Sequence, residues 1–241
     1  ISPLMHNESF RLLGLDYVYL CFDVNEETLP AAVAGLKTCG IRGFNLTMPN
    51  KNKIVELLDE LSPEAQLIGA VNTVLNDNGK LIGYNTDGYG FMQSVRDAGH
   101  DITGKNITVM GVGGASMAIC AQSALDGAAS VHIFARRTSR YWNRTQKFAE
   151  NLSAKTGCQV CLFDNDDHTA LRDSIAQSYL LINATSVGMV PDIDDTIIKD
   201  TSLFHPELVV ADVVYEPQET RLLREAKAAG CQTFNGMYML L

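Results

Sequence analysis

The sequence predicts an α/β fold in two parts, a smaller α/β lobe in front and a doubly wound parallel sheet behind it. Three observations carry this. Short apolar runs at 107–110, 131–134, 159–163, 180–183 and 209–213 alternate with helical patterns at 115–125, 144–153, 169–177 and 220–229. Strands spaced by helices of that length pair in parallel through right-handed crossovers. Residues 107–116, ITVMGVGGAS, pass from a strand through a glycine-rich turn into a helix. The first hundred residues mix strands, helices and a hairpin, and a polar seam near 101–105 separates the two halves.

In chain order, residues 8–13 suggest a short helix, 17–24 a strand and 29–39 a helix. A short strand follows at 43–47, then a helix over 50–61, with Pro63 soon after its end. Residues 70–76 and 80–84 flank Asp77, Asn78 and Gly79, a hairpin signal. Residues 88–98 form an amphipathic helix closed by Gly99, which leads the chain to its second half.

That half opens on the glycine turn. Gly111 permits a sharp exit from the strand, Gly113 lets backbone approach a pyrophosphate, and the helix beginning near Gly114 and Ala115 offers unpaired N–H groups to phosphate oxygens. Ser116 stands at the third position of the G-x-G-x-x-G pattern, small enough for close helix–strand packing. The plain alternative is a turn with no ligand.

Composition narrows the function classes. With 46% hydrophobic and 20% charged residues the chain has the makeup of a globular enzyme rather than a disordered segment. A net charge of −9 disfavours nucleic acid and anionic membrane as partners, because both need a clustered basic face. No apolar run approaches the roughly 18 residues that span a bilayer, and no charged-then-apolar leader opens the chain, so the expected location is cytoplasmic. The opening at Ile1 without an initiator Met and the stop at Leu241 inside an apolar run suggest trimmed ends. Six cysteines, mostly in apolar or strand-like segments, predict buried reduced thiols. Cys158 and Cys161 form a C-x-x-C without a second ligand pair, and CQVCLF alternates like a strand, so no metal is expected there.

Ligands bind beyond the carboxyl ends of strands in such sheets, and polar residues collect at several of those ends. After Phe44 comes NLTMPNK, in which Pro49 can end a strand and start a helix, leaving Lys51 near the helix start. A lysine is electrostatically disfavoured there; an exposed first-turn lysine is the plain reading and a functional one its rival. Asn72 interrupts the apolar GAVNTVL, and Asn85, Thr86 and Asp87 close the hairpin. Asp87 as an N-cap would account for itself. It would not account for Asn72, Asn85 and Thr86 on segments that favour burial.

These peptides carry a resemblance. Residues 1–7, ISPLMHN, resemble the tail of the S-x-S-P-x-x-H-N segment of the shikimate dehydrogenase family. NLTMPNK is similar to its N-x-T-x-P-x-K motif, GAVNT to its asparagine motif and GYNTDGYGF to its Y-N-T-D-G motif. GVGGAS, INATSVGM, DVVYEPQET and NGMYMLL are similar, in the same order, to its cofactor-side motifs. The eight segments span the chain, and MPNK together with the length of the FARRTSRYW loop leans toward the quinate/shikimate dehydrogenase branch.

The resemblance implies an N-terminal substrate domain over 1–100, completed by the segment from about 237, and a Rossmann-like NAD(P)-binding domain over 101–236, with hinges near Asp101 and Gly236. It implies Lys51 and Asp87 as the catalytic pair. Ser2, Thr47, Asn72 and Tyr215 join them as contacts to a cyclohexene or cyclohexane acid. Gly111, Gly113, Gly114, Ala115, Arg136, Arg137, Thr185, Val213, Gly236 and Met239 would hold the cofactor. The chemistry fits, since reduction of a ring ketone needs a proton donor at the nascent alkoxide and an ammonium beside a carboxylate supplies one. His6, before Asn7, is assigned a structural role.

Cofactor choice rests on the second strand of the parallel sheet, which ends in Phe134, Ala135, Arg136, Arg137 and Thr138. NAD-preferring sites place a carboxylate there, whereas arginines accommodate a 2′-phosphate. Thr138 stands where the quinate/shikimate branch often has an acid, which favours NADP over NAD. The expected activity is interconversion of 3-dehydroshikimate and shikimate, with quinate and 3-dehydroquinate as the near rival, by a monomer or homodimer. A non-catalytic dinucleotide-binding regulatory module is the alternative from another class.

Overall fold

The computed structural model describes residues 2–239. The front half carries α1 (Ser2–Leu12), α2 (Leu29–Thr38), β1 (Gly43–Asn45), α3 (Asn50–Lys53), β2 (Glu60–Leu61), α4 (Pro63–Ile68), β3 (Thr73–Asp77), β4 (Lys80–Tyr84) and α5 (Asp87–Asp97). Its four-stranded sheet has the order β1-β3-β4-β2, antiparallel except where β2 runs parallel to β4. The rear half continues with β5 (Asn106–Met110), α6 (Gly114–Leu125), β6 (Ser130–Ala135), α7 (Trp142–Thr156), β7 (Gln159–Asp164), α8 (His168–Gln177), β8 (Leu180–Asn183), β9 (Val209–Asp212), α9 (Arg221–Ala228) and β10 (Gln232–Phe234). These six strands form one parallel sheet in the order β10-β9-β8-β5-β6-β7. The order reverses between β5 and β8, the switch point where a doubly wound sheet opens a crevice.

Four differences from the sequence reading have physical causes. Residues 17–24 form no strand among the described residues; the Asn7 side chain takes the Tyr19 N–H and carbonyl instead, at 2.8 and 3.0 Å. The helix expected over 50–61 is one α-turn followed by a 3₁₀ turn at Ile54–Leu57. It stops because Glu60–Leu61 pairs with β4 and the Asp59 carboxylate accepts the Leu81 N–H at 2.7 Å. A further helix, α4, starts where Ser62 accepts the Ala65 N–H and Pro63 sits in the first turn, and left-handed Gly69 ends it. Strand β10 extends the rear sheet beyond the five strands expected.

The cores explain how the halves are joined. Leu29, Val33, Leu46, Ile54, Val71, Val74 and Leu81 fill the core of the front sheet. Phe91, Met92 and Val95 of α5, all fully buried, belong instead to the core built by α6, β5 and β6. Helix α5 therefore packs as part of the rear body, upstream of the seam at 101–105. Of the six cysteines, Cys120, Cys158 and Cys231 are buried and Cys161 is half-buried in β7, while Cys21 and Cys39 are exposed; all are free. Burial pushes the Cys120 thiol up to about 12 and Cys158 up to about 11, which suits inert thiols. No helix among the described residues is long and apolar enough to cross a membrane, and no cluster of metal-ligating side chains occurs among them.

Candidate active site

Lys51 lies in the first turn of α3 and reaches across to the start of α5, where its Nζ stands 2.6 Å from Asp87 Oδ2. Each side chain is 23% exposed, so the pair is partly dry yet open to a ligand. The dipole penalty on a lysine at a helix start is offset by this carboxylate. Asp87 is the first residue of α5 and not its cap; Thr86 holds the cap position, without a side-chain capping bond, and the Asp87 carboxylate is left for Lys51.

Asn72 explains the rest of the polar group. Its Nδ2 donates to Asp87 Oδ1 at 2.8 Å and to Thr86 Oγ1 at 3.0 Å, while its Oδ1 accepts the Thr86 N–H at 3.0 Å and the Thr73 hydroxyl at 2.9 Å. Asn85, only 3% exposed, accepts the Asp87 N–H at 3.2 Å and donates to the Ala70 carbonyl. Asn72 thus holds the carboxylate, Thr73 and Thr86 hold Asn72, and Asn85 holds the Asp87 backbone. Thr47 lies exposed beyond β1, four residues before Lys51. Ser2 opens α1, whose Asn7 grips Tyr19, whose hydroxyl in turn donates to Asn45 at 3.2 Å. His6 stacks on the Tyr19 ring at 4.4 Å, a structural contact. Ser2 and Tyr215 are exposed, and no hydrogen bond joins either to Lys51 or Asp87 among the described residues.

The glycine turn opens α6, the helix on whose Ala118 carbonyl Gly88, the neighbour of Asp87, is packed. Gly111 has φ +110°, and a Cβ there would meet Thr185 Cγ2 at 2.8 Å and the Ala184 oxygen at 2.9 Å, so only glycine fits the exit from β5. Gly113 and Gly114 are exposed, with nothing within 4 Å of a would-be Cβ. Open space therefore adjoins the start of α6, whose first N–H groups have no partner within the helix, as a phosphate cradle requires. Ser116 is fully buried and donates its hydroxyl to the Gly111 carbonyl at 2.6 Å, locking the turn. Ala115 follows in the same first turn, half-buried.

Arg136 and Arg137 stand exposed just past β6, and neither they nor Arg140 form an ion pair among the described residues. The Arg137 guanidinium lies 4.7 Å from the centre of the Trp142 ring. On the other side of β5, Thr185 and Val213 follow β8 and β9. Gly236 packs on Val213 so tightly that a Cβ would lie 2.1 Å from its carbonyl oxygen. Met239 sits against Gly90 of α5 through its own carbonyl. The cofactor candidates therefore fall in two groups flanking the switch point. A cavity of about 440 Å³ lined by His100, Tyr179, Glu207 and Gln232 lies elsewhere, at the amino ends of β8, β9 and β10.

The family model for the shikimate dehydrogenase substrate binding domain matches residues 1–74. A curated shikimate dehydrogenase (NADP(+)) from Listeria innocua is 50% identical over 241 residues, covering 100% of this chain and 82% of the relative. The chain belongs to the shikimate dehydrogenase family. Within that family, a crystal structure of shikimate 5-dehydrogenase from Listeria monocytogenes in complex with shikimate and NAD is 49% identical. It superposes with a TM-score of 0.97, covering 99% of this chain and 82% of that one. A quinate dehydrogenase from Corynebacterium glutamicum in complex with NAD is 30% identical, with a TM-score of 0.85 over 99% of this chain and 84% of that one. What the folded chain adds is the bonding: Asn85 accepts the Asp87 N–H, Thr86 bonds Asn72, and Trp142 lies under Arg137.

Proposed function

We propose that this chain is an NAD(P)-dependent oxidoreductase that interconverts 3-dehydroshikimate and shikimate. The observation that carries the reading is the Lys51–Asp87 pair, held past the carboxyl ends of β1 and β4 at the start of α5, which packs through Gly88 on α6, the helix that opens at the glycine turn. A nicotinamide dinucleotide bound at that cradle supplies or takes up the hydride. Lys51 serves the other half of the reaction: its ammonium gives a proton to the ring oxygen during reduction, and its neutral amine takes the alcohol proton during oxidation. Asp87 keeps the ammonium aimed and offsets its desolvation. Asn72, Asn85 and Thr86 keep Asp87 in place, while Thr47, Ser2 and Tyr215 supply hydroxyl contacts to the carboxylate and ring hydroxyls of the acid.

NADP is the favoured cofactor, because Arg136 and Arg137 offer unpaired guanidinium groups to a 2′-phosphate and no carboxylate follows β6 to compete for them. The NADP(+) named for the Listeria innocua relative supports this, and the NAD bound in the Listeria monocytogenes structure keeps NAD as the second cofactor. A pure regulatory module has no use for a proton donor beside the cofactor cleft.

The test is to incubate the protein with shikimate or quinate and each oxidised cofactor while following absorbance of the reduced nicotinamide. Shikimate with NADP should react fastest. Faster turnover of quinate would move the chain to the quinate branch. No turnover with any pair, while cofactor still binds, would make it a regulatory module.

A further inference from the structure

Asp212 is the last residue of β9 and is fully buried, although no basic side chain pairs with it among the described residues. Three donors converge on its carboxylate instead. Asn183 Nδ2 and the Val214 N–H reach Oδ1 at 3.0 and 2.9 Å, and the Thr220 hydroxyl reaches Oδ2 at 2.8 Å. Asn183 stands opposite Asp212 in the β8–β9 register, and its Oδ1 accepts both the N–H and the hydroxyl of Thr185, at 3.1 and 2.6 Å. Asn183 Nδ2 also donates to the Val187 carbonyl, and the Val187 N–H donates to Thr185 Oγ1. One carboxylate therefore anchors the loop after β8, the loop after β9 and the cap of α9.

We propose that Asp212 is the positioning residue for the nicotinamide half of the cofactor, fixing Thr185 and Val213 through Asn183 and the Val214 N–H. The assignment rests on the dehydrogenase reading. The adenosine half belongs over the β5 and β6 ends, at the glycine turn and Arg136 and Arg137. The other half must then cross the switch point to β8 and β9. Asp212 lies two strands from β5, about 10 Å away at ordinary strand spacing, so it reaches only the second half. Burial pushes its carboxyl up to about 6, the cost of keeping an acceptor-only group where three donors need one.

The experiment compares two ligands, NADP and adenosine 2′,5′-bisphosphate, by calorimetry on the wild type, Asp212→Ala, Asp212→Asn and Thr220→Val. Removing the buried acceptor in Asp212→Ala should weaken NADP binding by about tenfold or more, and leave adenosine 2′,5′-bisphosphate within about twofold. Asp212→Asn keeps an acceptor toward Asn183 and Val214 and should restore NADP affinity to within about threefold of the wild type. Thr220→Val, should Asp212→Ala not fold, should still weaken NADP binding selectively. Equal weakening of both ligands marks a structural role and overturns the proposal, as does unchanged NADP affinity. A wild type that binds the bisphosphate but neither NADP nor NAD overturns the dehydrogenase reading and the proposal with it. A wild type that binds NADP yet does not oxidise shikimate, with the selective loss intact in the variants, overturns the reading alone.

Discussion

Gly88 packs against the Ala118 carbonyl of α6 so closely that a Cβ would lie 2.2 Å from the oxygen. This contact sets where α5 begins, and so where Asp87, the preceding residue, meets Lys51. Gly88→Ala should lower stability by about 2 kcal/mol through overpacking against backbone that cannot yield. Activity should fall with it, because the start of α5 must shift. Denaturant unfolding and kcat on the folded variant measure the two effects.

Asn72 gives its amide to Asp87 and its oxygen to Thr86 and Thr73. Asn72→Ala should reduce kcat by about ten- to hundredfold, because Asp87 loses the donor that orients it toward the general acid. NADP affinity should be unchanged. A matching loss of NADP affinity would show that the damage spreads to the rear sheet.

Trp142, 8% exposed, lies under the Arg137 guanidinium. If that stack holds Arg137 for the 2′-phosphate, Trp142→Leu should raise KM for NADP by roughly two- to fivefold, the worth of an exposed cation–π contact. KM for NAD should stay where it was. Equal change in both would assign the tryptophan to packing of α7 alone.

The parallel sheet and its cofactor turn were legible because they depend on local chemistry: apolar runs, glycines where a Cβ has no room, and a helix that follows at once. Lys51 and Asp87 were legible as a pair only through the family resemblance, while Asn72, Asn85 and Thr86 were legible as polar residues on segments that favour burial. Other features depend on partners distant in sequence. The run of aromatic and apolar residues at 17–24 gave a strand pattern but not the neighbour a strand needs, and Asn7 took that place. Strand β10 is three residues long and exists only because β9 lies beside it. Asp87 matched an N-cap until Lys51 arrived from α3. Asn183 and Asp212 did leave a signal, each a polar residue closing an apolar strand run, but their pairing needs the β8–β9 register.

Asp212 also makes a stability prediction. Its carboxyl titrates near about 6 in the folded chain against an ordinary 3.8, so the folded state holds the extra proton between those values. A raised folded value means the group's favourable contribution is complete below about pH 4 and is lost as pH rises through about 6. Thermal midpoints should therefore rise more, or fall less, between pH 7 and pH 5 in the wild type than in Asp212→Asn. Parallel curves would show that the carboxyl titrates normally.

The most direct measurement is turnover of shikimate by Lys51→Ala, with NADP binding followed on the same sample. Loss of the proton-transfer group should lower kcat by about two to four orders of magnitude while NADP binds as in the wild type. Turnover close to that of the wild type would remove Lys51 from the chemistry and contradict the account.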